Sequence, residues 1–267
     1  MAGGTMRRLL TPKTPIPKRI EVSVGLAVAL IILGGWCLLT YGGLVSPNFL
    51  PAPHEVVAAL IKTTLNGSLP KNILASVEVI YAGFFLSSIL AIPIGIFMGS
   101  FRIVAAAIEP VVNFVRYLPV TSMIPLLILW IGIGIEEKIA VIFIGTFFQQ
   151  IVLIADVSAQ VPRDLLNVAY TLGARKRQVV SRVLVPATLP GVMDTLRVTM
   201  GWAWTYLVVA ELVAADSGLG YMSLQAMRGL HPDIIFLAIF VIGFLGLATD
   251  EVFKWIRARA LPWAETR

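Results

Sequence analysis

What most limits the folding of this chain is a series of long stretches that carry no charge. Val22–Tyr41 is the first, and it matches the roughly 20 residues a helix needs to cross about 30 Å of hydrocarbon. Val79–Phe101, Leu118–Ile135 and Ile139–Ala155 follow, equally free of charge. Val192–Val213 is a fifth run, with Asp194 and Arg197 near its start and Glu211 near its end, and Ile234–Thr249 is a sixth, extendable to Phe253. Only 13% of the residues are charged and 58% are hydrophobic. A soluble domain carries about 25% charged residues, so this chain has too few to cover a water-facing surface. The fold class expected is an all-α integral membrane protein of about six transmembrane helices.

The first run follows several basic residues, as the core of a signal peptide would. Its apolar stretch is long and no small-residue cleavage site stands out, so it is read as a retained helix. Orientation follows from the lysines and arginines, which concentrate in cytoplasmic loops. With the N-terminus inside, all but four of the 21 fall on the inner side; Lys62, Lys71, Lys138 and Arg228 fall outside. Both termini are therefore cytoplasmic, and the basic pI of 9.7 is a topology signal with no nucleic-acid partner implied. The expected division is a cytoplasmic segment 1–21, a first spanning helix 22–41 and an external segment 42–72. A membrane core 73–253 follows, including a cytoplasmic loop 156–190, and then a cytoplasmic tail 254–267. In the external segment, Val56, Val57, Leu60, Ile61 and Thr64 recur at helical spacing, which predicts a short surface helix over Pro53–Leu65.

Equipment for chemistry is missing from the sequence. The single cysteine, Cys37, permits no intrachain disulfide. His54 and His231 stand far apart beside prolines, no metal-ligand spacing occurs, and no G-x-x-x-x-G-K-[ST] loop is found. No catalytic, metal or cofactor residue is therefore assigned. An intramembrane enzyme would need a nucleophile or metal constellation within its spans, and none is evident. A secondary carrier or channel is the main rival class. It would show internal repeats and several ionisable groups at mid-membrane; no convincing repeat is seen, and the middles of the second to fourth runs lack charge.

The loop 156–190 is the longest polar stretch between spans on the inner side. Val161, Leu165, Val168, Ala169 and Leu172 form one apolar stripe on a short helix, Pro162 suits its first turn, and Gly173 follows where a left-handed cap is needed. A second helix is expected from Ala174 until Pro186 disturbs it, with Arg175, Lys176, Arg177 and Arg182 on its polar side. This is a helix–glycine–helix knuckle suited to docking in a groove on a soluble partner.

At this point the sequence resembles the permease subunits of type I ABC importers. Their cytoplasmic loop reads E-A-A-x-x-x-G-x9-I-x-L-P; here Asn167-Val168-Ala169 precedes Gly173, and after nine intervening residues stands Val183-Leu184-Val185-Pro186. Asn167 and Val168 depart from the pattern, which removes the carboxylate of its first position. Phe49-Leu50-Pro51-Ala52-Pro53, Arg116-Tyr117-Leu118-Pro119, Ala210-Glu211-Leu212 and Gly218-Leu219-Gly220-Tyr221-Met222 are similar to stretches of the nitrate, sulfonate, taurine and bicarbonate branch.

The resemblance implies a type I importer permease fold in a bacterial inner membrane, passing a small oxyanion or sulfonate along a pathway. The implied partners are a second permease copy, two ATP-binding cassette subunits that hold ATP and magnesium, a periplasmic or lipid-anchored solute-binding protein, and membrane lipid. It further implies that Leu165, Ala169, Leu172, Gly173 and Ala174 dock the ATPase, with Arg175 and Arg177 as ionic contacts and Pro186 closing the motif.

For the pathway or its gate, Arg116, Pro119, Pro125 and Glu211 are the candidates. Glu211 reads either as a gate or docking contact near the outer surface or as a satisfied helix-end carboxylate. Arg116, at the mouth of the third span, either attracts an anion or snorkels to lipid phosphates. Asp194 and Arg197, three apart, are expected to pair with each other.

Overall fold

The computed structural model describes residues 17–213 and 215–264, and over these it is built of helices joined by short turns. Arg7, Arg8, Lys13 and Arg267, which count toward the inner-side bias, lie outside the described residues. The helices are α1 (Lys18–Tyr41), α2 (Pro53–Leu65), α3 (Ser68–Ser100), α4 (Arg102–Val115), α5 (Val120–Ile131) and α6 (Ile135–Ala159). Then come α7 (Arg163–Thr171), α8 (Lys176–Val179), a π-helical turn Val180–Leu184, α9 (Val185–Val213), α10 (Leu219–Arg228) and α11 (Pro232–Ala260). Five elements are long and apolar enough to cross a membrane, α8 through α9 counting as one, and α4 with α5 makes a sixth crossing only as a bent pair.

That bent pair corrects the single span expected over Leu118–Ile135, which begins earlier, at Arg102, and breaks at Pro119, one of the prolines expected to kink these helices. Its two halves meet at 92°. Pro119 supplies the reason: proline drives the residue before it out of helical geometry and cannot donate the hydrogen bond a continuing helix requires. Pro119 instead sits extended, with ψ 108°, as the N-cap of α5. The 12 residues of α5 rise only about 18 Å, too little for the hydrocarbon alone.

The core forms where α3 and α6 lie against each other. Gly83, Ser87, Ala91, Gly95 and Gly99 recur every fourth residue, so one face of α3 has almost no side-chain bulk. A Cβ at Gly95 would lie 2.8 Å from the Ile154 side chain, and one at Gly99 would lie 2.1 Å from the Ala155 carbonyl oxygen. Helices in lipid associate by this kind of close backbone approach, since lipid tails already satisfy apolar side chains. Ile80, Phe84, Ile142, Ile154 and Leu207 fill the remaining space, with α9 as the third wall. Mid-membrane, the fully buried Gln150 of α6 is satisfied by polar neighbours. It accepts from Ser87 Oγ at 3.1 Å and donates to Ser88 Oγ and Thr199 Oγ1 at 3.2 and 3.3 Å.

The outer side is closed by α2 and α10. The surface helix runs over the expected Pro53–Leu65, with Glu55 accepting from the Ala52 amide at 2.7 Å. Its inward face is Val56, Ala59 and Thr63, whereas Val57, Leu60 and Ile61 of the expected stripe point outward. The buried stripe is thus rotated from the one read in the sequence because small residues, Ala59 and Thr63, allow the closer approach to α3 and α11. α1 buries no residue of its own. It is fastened at its outer end, where Trp36 Nε1 donates to the Pro51 carbonyl at 2.9 Å and stacks on Phe236, and Tyr41 Oη lies 2.8 Å from His54 Nδ1.

Candidate functional site

The knuckle begins at α7, for which Pro162 is the N-cap rather than a first-turn residue. The end of α7 is a complete Schellman closure. The Ala174 amide donates to the Ala169 carbonyl at 3.0 Å and the Gly173 amide to the Tyr170 carbonyl at 2.9 Å. Gly173 has φ +81°, and nothing lies within 4 Å of where its Cβ would stand, so the backbone conformation alone calls for glycine. The chain then reverses into α8, whose first turn is supported by the Arg175 amide donating to Gln178 Oε1 at 2.8 Å.

The apolar stripe on this knuckle divides into two faces. Val161 and Leu166 pack onto the membrane core, while Leu165, Val168 and Leu172 project away from it, Leu172 at 82% exposed. Arg175 and Arg177 are exposed beside them, and Ala169 and Ala174 are half-buried at the turn. The Lys176 ammonium lies 5.3 Å from the centre of the Phe101 ring, linking the knuckle to the inner end of α3. A cavity of about 500 Å³, bordered by Ser100, Asp156, Tyr170 and Leu184, separates the knuckle from the inner ends of α3, α4 and α6.

Pro186 does not end the second helix of the knuckle, contrary to expectation. The helix passes through a π turn at Val180–Leu184 and continues as α9 to Val213. A π turn rearranges the i→i+4 bonding just before the proline, where the missing N–H would otherwise leave a carbonyl without its partner. The second helix of the knuckle and the longest spanning element are therefore one continuous body.

Asp194 and Arg197 also depart from the expected pairing. Arg197 Nε donates to Asp250 of α11, which also takes Lys254 at 2.8 Å; Asp194 receives Arg257 at 3.3 Å. Three residues apart on α9, both side chains reach across to α11 instead of toward each other, so these charges clamp two spans at their inner ends.

At the outer end, Glu211 is 1% exposed. Ser76 Oγ donates to its Oε1 at 2.6 Å and the Gly220 amide to its Oε2 at 2.7 Å. Ser76 Oγ in turn accepts from the Leu219 amide at 2.8 Å, and Asn72 Oδ1 accepts from Gly218 at 2.9 Å. Gly218 takes φ +115°, and a Cβ there would fall 2.1 Å from Glu211 Oε1. The carboxylate thus ties α9 to α3 and to the turn that starts α10.

At the α4–α5 break, Arg116 is half-buried with its Nη2 donating to Tyr117 Oη at 3.0 Å. Pro119 is exposed on this bend and Pro125 is exposed within α5. A second cavity of about 340 Å³ opens here, lined by Arg116, Thr121, Gln149 and Tyr206 among others.

Several groups went unnoticed in the sequence. Lys138, counted as an outside charge, is 2% exposed and 3.7 Å from Asp216, and the neighbouring Glu137 is fully buried. Outside the spans, hydrogen bonds from Ser217 and the backbone, then the charge of Lys138, hold the Asp216 carboxyl below its usual range. Gln149 and Gln150, an amide pair inside an otherwise apolar run, were the readable sign of polar function at mid-membrane.

Comparison with known proteins bears on what these sites serve. Residues 91–261 match the family model described as binding-protein-dependent transport system inner membrane component. A probable ABC transporter permease protein of Brucella abortus is 40% identical over 87% of this chain and 92% of its own length. The taurine transport system permease protein of Escherichia coli is 30% identical over 96% and 94%. Among solved structures, the inward-facing MetNI methionine ABC transporter shares the fold, with TM-score 0.56 and 20% identity over 69% of this chain and 94% of that one.

Proposed function

The chain belongs to the binding-protein-dependent transport system inner membrane component family and is a multi-pass ABC importer permease, and from that premise we propose how it is coupled and what it carries. Family membership sets aside the rival reading as a carrier working without an ATPase. In the proposed assembly two copies of this chain flank one pathway in a bacterial inner membrane. Each copy grips an ATP-binding subunit through its knuckle, and a solute-binding protein delivers to the outer face. ATP and magnesium belong to the partner subunits. The cargo is a small oxyanion or sulfonate, a reading supported by the similarity to the taurine permease.

The observation that carries the coupling is the outward face of the knuckle. Leu165, Val168 and Leu172 stand exposed on and just after a short helix closed by Gly173, flanked by Arg175 and Arg177, and the helix that follows the turn, α8, runs on into α9 through the π turn. Apolar side chains held on a rigid helix end suit insertion into a groove. A body continuous with a spanning helix transmits displacement where a flexible loop would absorb it. The partner's movement on ATP binding would then be delivered to α9 and, through the Arg197–Asp250 and Asp194–Arg257 clamp, to α11.

The test is ATP-dependent uptake of taurine by proteoliposomes holding this chain with its ATPase and binding protein, compared with Gly173→Val. Wild type should accumulate taurine and retain the ATPase on purification. The variant should insert normally yet lose both association and uptake. Equal uptake by the two would remove the knuckle from the mechanism.

A further inference from the structure

The break between α4 and α5 places a cationic side chain where the sequence alone did not. Its cavity is walled on one side by Gly145 and Gln149 of α6, which are ten residues from Ile135 and ten from Ala159 respectively. That is the middle of a spanning helix, about 15 Å from either end. Arg116 therefore stands at mid-membrane depth and not at the mouth of a span, farther from the headgroups than one side chain reaches. A guanidinium at that depth is costly and is retained for a partner or a path.

Among the described residues Arg116 has no anionic partner, and its one hydrogen bond is from Nη2 to the neighbouring Tyr117. Its guanidinium lies over the ring of that tyrosine, 4.7 Å from the centroid. Its Nε is buried and makes no hydrogen bond. Thr121, Gln149 and Tyr206 line the same space and bring neutral polar groups to it. The space itself depends on Gly145, since a Cβ there would lie 2.6 Å from the Tyr206 ring. A fixed positive charge with an unused donor, neutral hydrogen-bonding neighbours and about 340 Å³ of room form a built cavity at the small end of ligand-site volumes.

We propose that this cavity is a binding site of the permease itself, in which Arg116 receives the anionic head of a small singly charged oxyanion or sulfonate during passage. The inference rests on the transport reading above and adds a selectivity site within the membrane. A guanidinium suits the task because two of its N–H groups can face two oxygens of one planar or tetrahedral head. The absence of a resident carboxylate leaves the charge for the cargo, and the neutral lining keeps the hold weak enough for release.

The test is titration of ethanesulfonate onto the detergent-solubilised permease–ATPase complex without binding protein, so that any site detected lies on the membrane assembly. Wild type should bind ethanesulfonate and not ethylammonium. Arg116→Gln should weaken binding by about tenfold or more, the scale of one charge-assisted contact. Arg116→Lys should retain part of it, and both variants should co-purify with the ATPase as wild type does. Gly145→Ala should also weaken binding, by crowding Tyr206. No binding by wild type, or Arg116→Gln binding as wild type does, overturns the site. ATP-dependent uptake that persists in that case leaves the transport reading standing; Arg116-dependent binding without ATP-dependent uptake does the reverse.

Discussion

At Gly173 one backbone angle decides how the knuckle ends. A Cβ at φ +81° costs about 1–2 kcal/mol in any L-residue, and more in a β-branched one, while the surrounding space is empty. Gly173→Asn should therefore keep most ATPase association where Gly173→Val loses it, as measured by co-purification, because asparagine tolerates the left-handed region. A bulk-driven effect would penalise both alike. This position was legible in the sequence because a glycine at the end of an apolar stripe announces a left-handed cap locally. Glu211 was not. Its two donors come from Ser76, 135 residues away, and from the Gly220 amide, and no local pattern points to the first of them. Glu211→Ala should leave Ser76 Oγ and the Gly220 amide without their acceptor, at about 1–3 kcal/mol for each buried group left unpaired. Thermal unfolding in detergent should shift down by several degrees, and Glu211→Gln should recover part of the loss by keeping one acceptor oxygen. An unchanged midpoint in Glu211→Ala would mean that the carboxylate does not hold the outer turn.

Among the elements, those that stand on their own pattern were readable and those that depend on a neighbour were not. The spanning runs declare themselves through length and lack of charge, and α2 through its helical periodicity. A kink at Pro119 was readable from the proline, but its size was hidden because hydropathy has no direction: two helices meeting at 92° and one straight helix give the same apolar profile. The π turn was hidden for a related reason, since Pro186 reads as a stop unless the turn before it is known to widen. The Asp194 and Arg197 spacing permitted an intrahelical pair, but the better partners lay on α11. The α3–α6 contact was present in the sequence as five small residues at every fourth position, a signal that becomes meaningful only once the face they share is known to meet a helix. Gly95→Leu tests it. The Cβ alone would press to 2.8 Å from Ile154, so the two helices must separate, at about 1–3 kcal/mol for an overpacked contact. The expected outcome is a lowered unfolding midpoint and loss of the Gln150 network's protection from hydrogen exchange. A variant as stable as wild type would show that α3 and α6 are not held by close backbone approach.

Taken as a whole, the molecule is a core of three tightly packed spans, α3, α6 and α9, to which a broken span, an outer cap and an inner knuckle are attached. The knuckle and the outer turn sit at opposite ends of the same helix, α9: the π turn joins it to α8 inside, and Glu211 joins it to α3 and α10 outside. The cavity beside Arg116 lies between those ends, against Tyr206 of α9. Displacement of α9 by a partner would therefore reach the cavity and the outer turn together, which is the arrangement rigid-body switching requires. All of this depends on the knuckle facing the cytoplasm and being covered there by another polypeptide. The most direct test is a single reporter, Leu172→Cys in a Cys37→Ala background, treated with a membrane-impermeant maleimide. Inside-out vesicles should label and right-side-out vesicles should not, and co-assembled ATPase subunits should protect the site. Labelling from the outer face, or labelling that the ATPase leaves unchanged, would contradict the account.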